Sequence, residues 1–291
     1  MLSRPRRKLV GSFAIEGAYS LSLRPFTSFA FRAALALGLA TAATGLATVR
    51  AYADDEGGDA PRVLFFGGMC PNCELSGRKL PLARFLGANF VGASLVGADL
   101  RGAAFFASNF TSADLAKANL RGASLFGSTF IGANFTGANL AGVQGNGVNF
   151  LNANFTQAQL AGAVLPGAQL IRVEARQAQF VGAQLLGANL TDGHFERASF
   201  AKAHLDGATL SGASFAGADF RGASLVRAEL VGADLSGARG LTQSQIDQAC
   251  SSSATRLPSG LTPRTCKGGA HVIILPQSSQ TRYIITSEPG S

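Results

Sequence analysis

The stretch ANFVG-ASLVG-ADLRG, residues 88–102, contains three copies of a five-residue unit that sets the pattern for more than half of the chain. From Leu75 to Leu235 every fifth residue is Leu or Phe, and the two exceptions in 33 positions are Gly145 and Ala175. From Ala83 to Ala233 the residue two places before each of these is small, and it is Ala at 25 of the 31 sites. Self-similarity at a fixed short period predicts a solenoid, in which each turn of chain packs only against its neighbours.

The period itself excludes ordinary helices and long strands. Five matches neither the helical repeat of about 3.6 residues nor the two-residue repeat of a strand. Within one unit, however, alternation holds. In an extended segment the Leu or Phe and the small residue two before it face one side, and the polar residue between them faces the other. Gly occupies most corners between units, where it allows the chain to turn without strain. The sequence therefore predicts a narrow coil of short extended segments with an apolar interior.

Units such as Ala98–Gly102, Ala138–Gly142 and Ala233–Gly237 resemble pentapeptide repeats, and the resemblance covers about 165 of the 291 residues. It implies an all-β solenoid, a right-handed quadrilateral β-helix with four units per coil and both apolar positions pointing inward. Residues 20 apart would then lie above one another. Because stacked strands are about 4.8 Å apart, roughly eight coils would make a rod on the order of 40 Å long.

On that spacing the inner columns can be predicted. One column begins with Phe90, Phe110, Phe130 and Phe150, so we expect a stacked aromatic ladder. The exceptions Gly145 and Ala175 fall in different columns, and we expect a void or a kink near residues 142–147.

The chain divides into five predicted parts: a leader (1–53), a linker and N-terminal cap (54–74), the repeats (75–240), a C-terminal helical cap (241–266) and a loose tail (267–291). Short strands are expected in these flanks at residues 63–66, 272–275 and 283–285. Thr242 followed by Gln245 predicts a capping box that opens a short helix extending to about Cys250.

Residues 1–53 predict a targeting leader rather than part of the fold. By sequence count they carry +6 of the formal net charge of +8, and an apolar run from Ala33 to Val49 follows most of the basic residues. Ala51-Tyr52-Ala53 is a small-x-small cleavage site. The apolar run is short for a membrane span of about 20 residues. We expect a signal cleaved after Ala53 and export, most simply to the periplasm, with a membrane-anchored protein or an organelle lumen as the alternatives.

The four cysteines are interpreted as structural. Cys70 and Cys73 form a C-x-x-C pair, but no thioredoxin-like unit surrounds them and no second pair completes a zinc site. Both occupy inward positions of the repeat register, so we expect cap residues, reduced or joined, with a redox or metal role as the alternative. Cys250 and Cys266 predict a disulfide that closes a loop of about 15 residues, which is worth on the order of 3 kcal/mol in the chain-entropy model.

Catalytic patterns are scarce. His194 and His204 fall at outward positions without a motif-placed partner, and each Gly recurs with the five-residue period, so no phosphate-binding loop is present. We therefore predict no enzyme, no cofactor, no metal site and no small-molecule substrate. Nucleic-acid binding is disfavoured, because the net +4 of the repeats is spread over the rod rather than gathered in a stripe.

The alternative function comes from the resemblance, because some pentapeptide repeat proteins mimic duplex DNA and bind a topoisomerase, gyrase. Such mimicry needs an acidic rod in the cytosol that stands in for phosphates. The repeats instead carry nine acidic and 13 basic residues, and the leader predicts export. Membrane contact is expected only through the leader, if it stays uncleaved.

The outward residue after each central Leu or Phe predicts an interaction surface. On one face the apolar ones are Leu86, Phe106, Phe126, Leu186 and Val226, and on the next face they are Val91, Ile131, Leu151, Ile171 and Val231. Large exposed apolar patches mark interfaces. We call these ten residues the apolar edge and predict that it binds a protein partner, a second copy or the chain's own C-terminal tail. The predicted function is an exported, non-catalytic scaffold that acts through protein contacts.

Overall fold

The computed structural model describes residues 48–51, 64–265, 271–274 and 283–286, and it defines side-chain burial for residues 68–265. Its elements are β1 (Thr48–Ala51), β2 (Leu64–Gly67), β3 (Arg84–Leu86), β4 (Ala104–Phe106), α1 (Gln243–Gln248), β5 (His271–Ile274) and β6 (Tyr283–Thr286). β1 pairs antiparallel with β2, β2 to β4 pair in parallel, and β5 pairs antiparallel with β6. The three short strands predicted in the flanks are present as β2, β5 and β6, each within one residue of the expected position.

Single β-bridges between residues 20 apart run through the repeats, from Met69–Asn89 to Asp219–Arg239. Each bridge joins a residue to its equivalent one turn of chain later. One coil therefore contains 20 residues, or four five-residue units, as the resemblance implied. The backbone hydrogen bonds between coils are as regular as the bridges, since most lie between 2.6 and 3.0 Å.

Tight turns with one left-handed residue form the corners. At a representative corner the amide of Ala93 donates to the carbonyl of Phe90 at 3.0 Å, and Gly92 between them has a φ of +67°. A positive φ at the third residue defines a type II turn and favours Gly there. Non-glycine residues adopt the same backbone at this position of 13 units, from Asn72 to Arg227. The coil thus fixes the backbone conformation of the corner, and Gly only lowers the conformational strain of adopting it.

The polar residue before each central position stabilises the corner that follows it through a side-chain hydrogen bond. Asn89 Oδ1 accepts a hydrogen bond of 3.1 Å from the amide of Val91, and the same bond recurs at other units, including Asn139 to Ala141 at 3.0 Å. Within the described coils the amide after the central residue of the unit donates to no backbone carbonyl. Because an unpaired amide is costly wherever water is excluded, Asn and Asp are favoured at this position.

The interior consists of the predicted inner columns. Phe90, Phe110, Phe130 and Phe150 stack with ring centroids 5.0 to 5.5 Å apart, and all four are buried. Rings of adjacent columns meet edge to face, as Phe135 and Phe150 do at 5.7 Å. Such pairs add about 0.5–1.5 kcal/mol each beyond burial of area. The expected aromatic ladder is therefore confirmed.

The void expected beside Gly145 is filled. A Cβ placed on Gly145 would lie 3.2 Å from the Cβ of Leu125 and 3.3 Å from Cγ1 of Val148. Val148 and Val143 are fully buried and occupy small positions on either side of Gly145, where most units have Ala. The expectation of a void was wrong, because branched side chains on the neighbouring corners take up the missing volume.

The coil also continues without interruption at this point. The amide of Gly145 donates to the carbonyl of Val164 at 2.9 Å, the same inter-coil bond that other central residues make. The second exception, Ala175, shows the same kind of compensation, since the buried small position before it is Val173. Val occupies a small position in the repeats only at these three places, but the link to the missing side chains needs the closed coil, which brings the positions together.

Candidate functional site

All ten residues of the apolar edge lie at the surface. Leu86, Phe106, Leu186, Val226 and Val231 are exposed, and Leu86 is the most exposed of them at 64%. The other five are half-buried: Phe126, Val91, Ile131, Leu151 and Ile171. Half-burial follows from the fold, because equivalent side chains one coil apart stand only about 4.8 Å from each other. The sequence predicted which residues face outward, and the structure adds how much of each is accessible.

The N-terminal part of the apolar edge has an unusual corner. Ser108 and Ser128 occupy small inward positions, and both are buried. Ser108 Oγ accepts the amide of Ala88 at 3.2 Å, and Ser128 Oγ accepts the amide of Ser108 at 3.1 Å. At a regular corner the amide of the small residue donates to the backbone carbonyl three residues earlier. At the corners of Ala88 and Ser108 the amide donates to a serine hydroxyl instead. β3 and β4 extend through these corners to Leu86 and Phe106. Sequence reasoning missed this feature, and Ser in place of Ala was its signal.

The middle of the rod has no charge. Residues 122–171, which we call the neutral belt, contain no Asp, Glu, Lys, Arg or His, although 14% of the chain is charged. Phe126, Ile131, Leu151 and Ile171 of the apolar edge lie in this belt. Depletion of charge at the centre with charged residues around it is the compositional mark of a protein interface.

Some of the charged groups beyond the belt pair with one another. Arg176 bonds to Glu174 and lies 3.3 Å from Oε2 of Glu196, and Nδ1 of His194 lies 3.4 Å from Oε1 of Glu196. Burial raises the pKa of Glu196, but hydrogen bonds to its own backbone amide, Ser214 and His194, together with the Arg176 charge, outweigh it and lower the pKa. This surface cluster is a closed network of opposite charges.

The same is true of the short Asp–Arg pairs. Oδ2 of Asp99 lies 2.7 Å from Nη2 of Arg101, and Oδ2 of Asp219 lies 2.6 Å from Nη2 of Arg221. In both pairs hydrogen bonds from the guanidinium lower the pKa of the carboxyl, against the opposing effect of burial. Among the described residues no group of three or more His, Cys, Asp or Glu is arranged to hold a metal ion.

The C-x-x-C pair spans the first corner of the coil. Cys70 and Cys73 are bonded to each other with Cα atoms 5.4 Å apart, and both pack against the core. The amide of Cys73 donates to the carbonyl of Cys70, and Asn72 has a φ of +56°, so the pair sits on an ordinary repeat turn. Both side chains pack against the core, in agreement with the repeat register, and their role as cap residues stays a prediction. Cys250 is also disulfide-bonded, but Cys266 lies outside the described residues, so their pairing stays a prediction.

After the repeats, the expected capping box is present at the start of α1. The Thr242 side chain accepts the amide of Gln245 at 3.3 Å, and Oε1 of Gln245 accepts the amide of Thr242 at 2.8 Å. Nε2 of Gln245 also donates to the carbonyls of Phe220 and Ala223, which belong to a corner near the end of the repeats. α1 ends at Gln248, two residues earlier than expected.

The predicted leader is almost entirely outside the described residues. Residues 1–47 and 52–63 are not described, so cleavage and export stay predictions. β1 falls on the N-terminal side of the predicted cleavage site after Ala53. None of the helices in the part of the chain that the structure describes has the length and apolar character needed to cross a membrane.

Comparison with known proteins identifies the repeat. The profile for pentapeptide repeats matches in eight copies, over residues 72–105, 105–142, 146–173, 153–192, 178–215 and 203–239. The chain belongs to the pentapeptide repeat family. Its repeats therefore form a right-handed β-helix solenoid. No curated protein matches the sequence.

Several solved pentapeptide repeat structures are similar to the chain. HetL, involved in heterocyst differentiation regulation in the cyanobacterium Nostoc sp. strain PCC 7120, is 30% identical; the match covers 67% of this chain and 83% of HetL with a TM-score of 0.26. QnrB1, a plasmid-mediated fluoroquinolone resistance protein, is 17% identical over 64% and 94% of the two chains, with a TM-score of 0.30. A protein of the Arabidopsis thaliana thylakoid lumen is 21% identical over 62% and 83%, with a TM-score of 0.24.

Proposed function

We propose that this protein is a non-catalytic, exported β-helical scaffold that acts through protein–protein contacts on its apolar edge. One observation carries the proposal. The outward Asn and Asp side chains are used by the corners, and many of the charged side chains pair with each other. The apolar edge, in contrast, keeps large side chains such as Leu86 and Phe106 exposed. These polar groups are engaged within the rod, whereas the large apolar side chains of the edge stay accessible to an external molecule.

The rod has the rigidity that such a scaffold needs. Backbone bonds join every coil to the next, and a core of stacked Leu and Phe side chains fixes the distance between outward positions. Fully burying a Leu or Phe side chain stabilises a complex by roughly 1.5–3 kcal/mol before the costs of association. Several partly exposed side chains of the apolar edge together therefore supply enough free energy for a specific contact. We also propose about eight coils closed at the end by residues 241–266, because solenoids need their terminal coils covered.

Export is the second part of the proposal, and it rests on the leader. Cell fractionation combined with the intact mass of the recovered protein tests it. A periplasmic species that begins at Asp54 is the expected result, and its mass also counts the disulfides. A full-length species in the cytosol would overturn export. It would then make a topoisomerase-protection assay necessary, because the DNA-mimic alternative requires a cytosolic protein.

The apolar edge is tested in living cells with a photoreactive amino acid placed at Phe106. Ala161, an exposed outward residue on a face beyond the apolar edge, is the matched control position. We expect a discrete cross-linked protein from position 106 and none from position 161, because only the former lies on the edge. Equal cross-linking at both positions, or none at position 106, would refute the proposed surface.

A further inference from the structure

One face of the rod has a symmetric sequence of outward residues. At the position after the central residue, five successive coils contain Thr111, Ile131, Leu151, Ile171 and Thr191. This column, which we call the ladder, is the same when read upward or downward from Leu151. Its five residues are all half-buried, and together they form a ridge along the middle of the face.

The hydrogen bonds at the two ends of the ladder share this symmetry. Thr111 Oγ1 donates to Oδ1 of Asn109 at 2.7 Å, and Thr191 Oγ1 donates to Oδ1 of Asn189 at 2.6 Å. Both hydroxyls are thereby used within their own unit. The two ends are alike in chemistry as well as in residue type, and the apolar part lies between them.

A symmetric ladder fits an antiparallel copy of itself. Two-fold dimers bring the same patch of each subunit together, so that residue i contacts j and j contacts i. If the axis passes at Leu151, Leu151 meets its own equivalent, Ile131 meets Ile171 of the second copy, and Thr111 meets Thr191 of the second copy. Resting on the proposed role of the apolar edge, we propose that a second copy of this chain binds the ladder in this antiparallel arrangement.

The lack of charge on this face also favours a second copy of the chain as the partner. On this face the outward positions from Asn89 to Ile171 carry no charge, so two copies approach without repulsion. The first charged corner residues are Arg172 and Asp192, both exposed. In the antiparallel arrangement the corner residues opposite them are Gly132 and Ser112 of the second copy, so no like charges meet.

The surface area that the ladder can bury limits the affinity of the dimer. Five rungs about 4.8 Å apart give a contact on the order of 20 Å long. One flat face of that length buries less than the roughly 800 Å² per partner of a standard interface. We therefore expect a weak dimer, populated at high protein concentration and trapped by cross-linking.

Cysteine cross-linking tests both the dimer and its direction. Among the described residues no cysteine is free. The parent protein, oxidised in parallel, therefore gives the background against which an introduced thiol is measured. Oxidation of purified Leu151→Cys should give a disulfide dimer at least tenfold faster than Ala161→Cys, the exposed control on the opposite face. Ile131→Cys and Ile171→Cys should each give little dimer alone and should cross-link to each other when mixed.

Three outcomes overturn the inference. The first is no excess dimer from Leu151→Cys over Ala161→Cys in protein whose circular dichroism matches the parent. The second is self-cross-linking of Ile131→Cys as fast as the Ile131→Cys and Ile171→Cys mixture, because that indicates parallel rods. The third is an unchanged rate for Leu151→Cys when Ile131→Arg and Ile171→Arg are added. If the ladder gives no dimer but position 106 is cross-linked to a partner in cells, the dimer is refuted and the proposed function stands. If the ladder gives a dimer but position 106 is cross-linked to no protein, the proposed partner surface is refuted and the dimer stands.

Discussion

Inward and outward positions of the same coils follow different rules. Inside, a missing side chain is compensated by its neighbours, as Val143 and Val148 do for Gly145. Outside, Phe106 and Leu86 remain exposed within the part of the chain whose burial is described. Side-chain volume is therefore conserved at the inward positions, on which the fold depends. The apolar edge lies at outward positions, where the fold does not depend on side-chain volume. The fold requires the inner columns, and the exposure of the outer apolar column supports the proposed contact surface.

The largest expected effect contrasts two phenylalanines four residues apart. Phe130→Ala should lower the free energy of unfolding by about 3–5 kcal/mol, since it empties a fully buried position between Phe110 and Phe150. Phe126→Ala, at a half-buried outward position, should cost less than about 1 kcal/mol. Urea unfolding followed by circular dichroism measures both. Similar costs for the two variants would show that the apolar edge serves stability rather than binding.

Next in size is a test of volume compensation. Gly145→Leu restores the usual residue of the repeat but should destabilise the protein by about 1–3 kcal/mol, because Val148 and Leu125 already fill the space. Adding Val148→Ala should recover much of that loss. Urea midpoints of the two single variants and the double variant give the coupling energy. Additive effects would mean that the two side chains do not share one space.

A smaller effect on stability is expected from the outward polar residues, and it should distinguish those that bond to a corner amide from those that do not. Asn139→Ala removes the acceptor for the amide of Ala141 and should cost about 1 kcal/mol. Gln159 occupies the equivalent position one coil later, and no hydrogen bond from it to a corner amide is seen in the described coils. Gln159→Ala is therefore the matched control and should change the unfolding midpoint little. If both substitutions cost the same, the corner amide does not need a side-chain acceptor.

The sequence predicted the features that depend on one unit and missed those that depend on several. The coil, its corners and its inner columns follow from alternation and turn chemistry within five residues. The compensation at Gly145 involves Val148 on the next face, and it becomes apparent only once the coil is closed. The hydroxyl acceptors at Ser108 and Ser128 likewise join different coils. Membership of the apolar edge could be predicted, but how much of each side chain is exposed, from half-buried Phe126 to Leu86, could not.

The smallest expected effect concerns pH and the charged pairs outside the belt. Hydrogen bonds from Arg221 lower the pKa of Asp219 below its ordinary value of 3.8. The stabilisation from this pair is complete above that value, because the carboxyl is then ionised in both the folded and the unfolded chain. As the pH falls below it, the unfolded chain takes up the proton first, and the contribution is lost when the pH passes the lower pKa of the folded state.

Asp219→Asn should therefore reduce the fall in urea midpoint between pH 5 and pH 2. Arg221→Gln should reduce it by less, because the backbone amide of residue 221 and the charge of Arg239 still lower the pKa of Asp219. The change should be small, because the Arg221 side chain is 76% exposed and surface pairs are screened by solvent. Raising the salt concentration should diminish the difference between parent and variant. A pH dependence that neither substitution alters would show that acid sensitivity arises elsewhere, and that paired charges contribute as little to the fold as the apolar edge does.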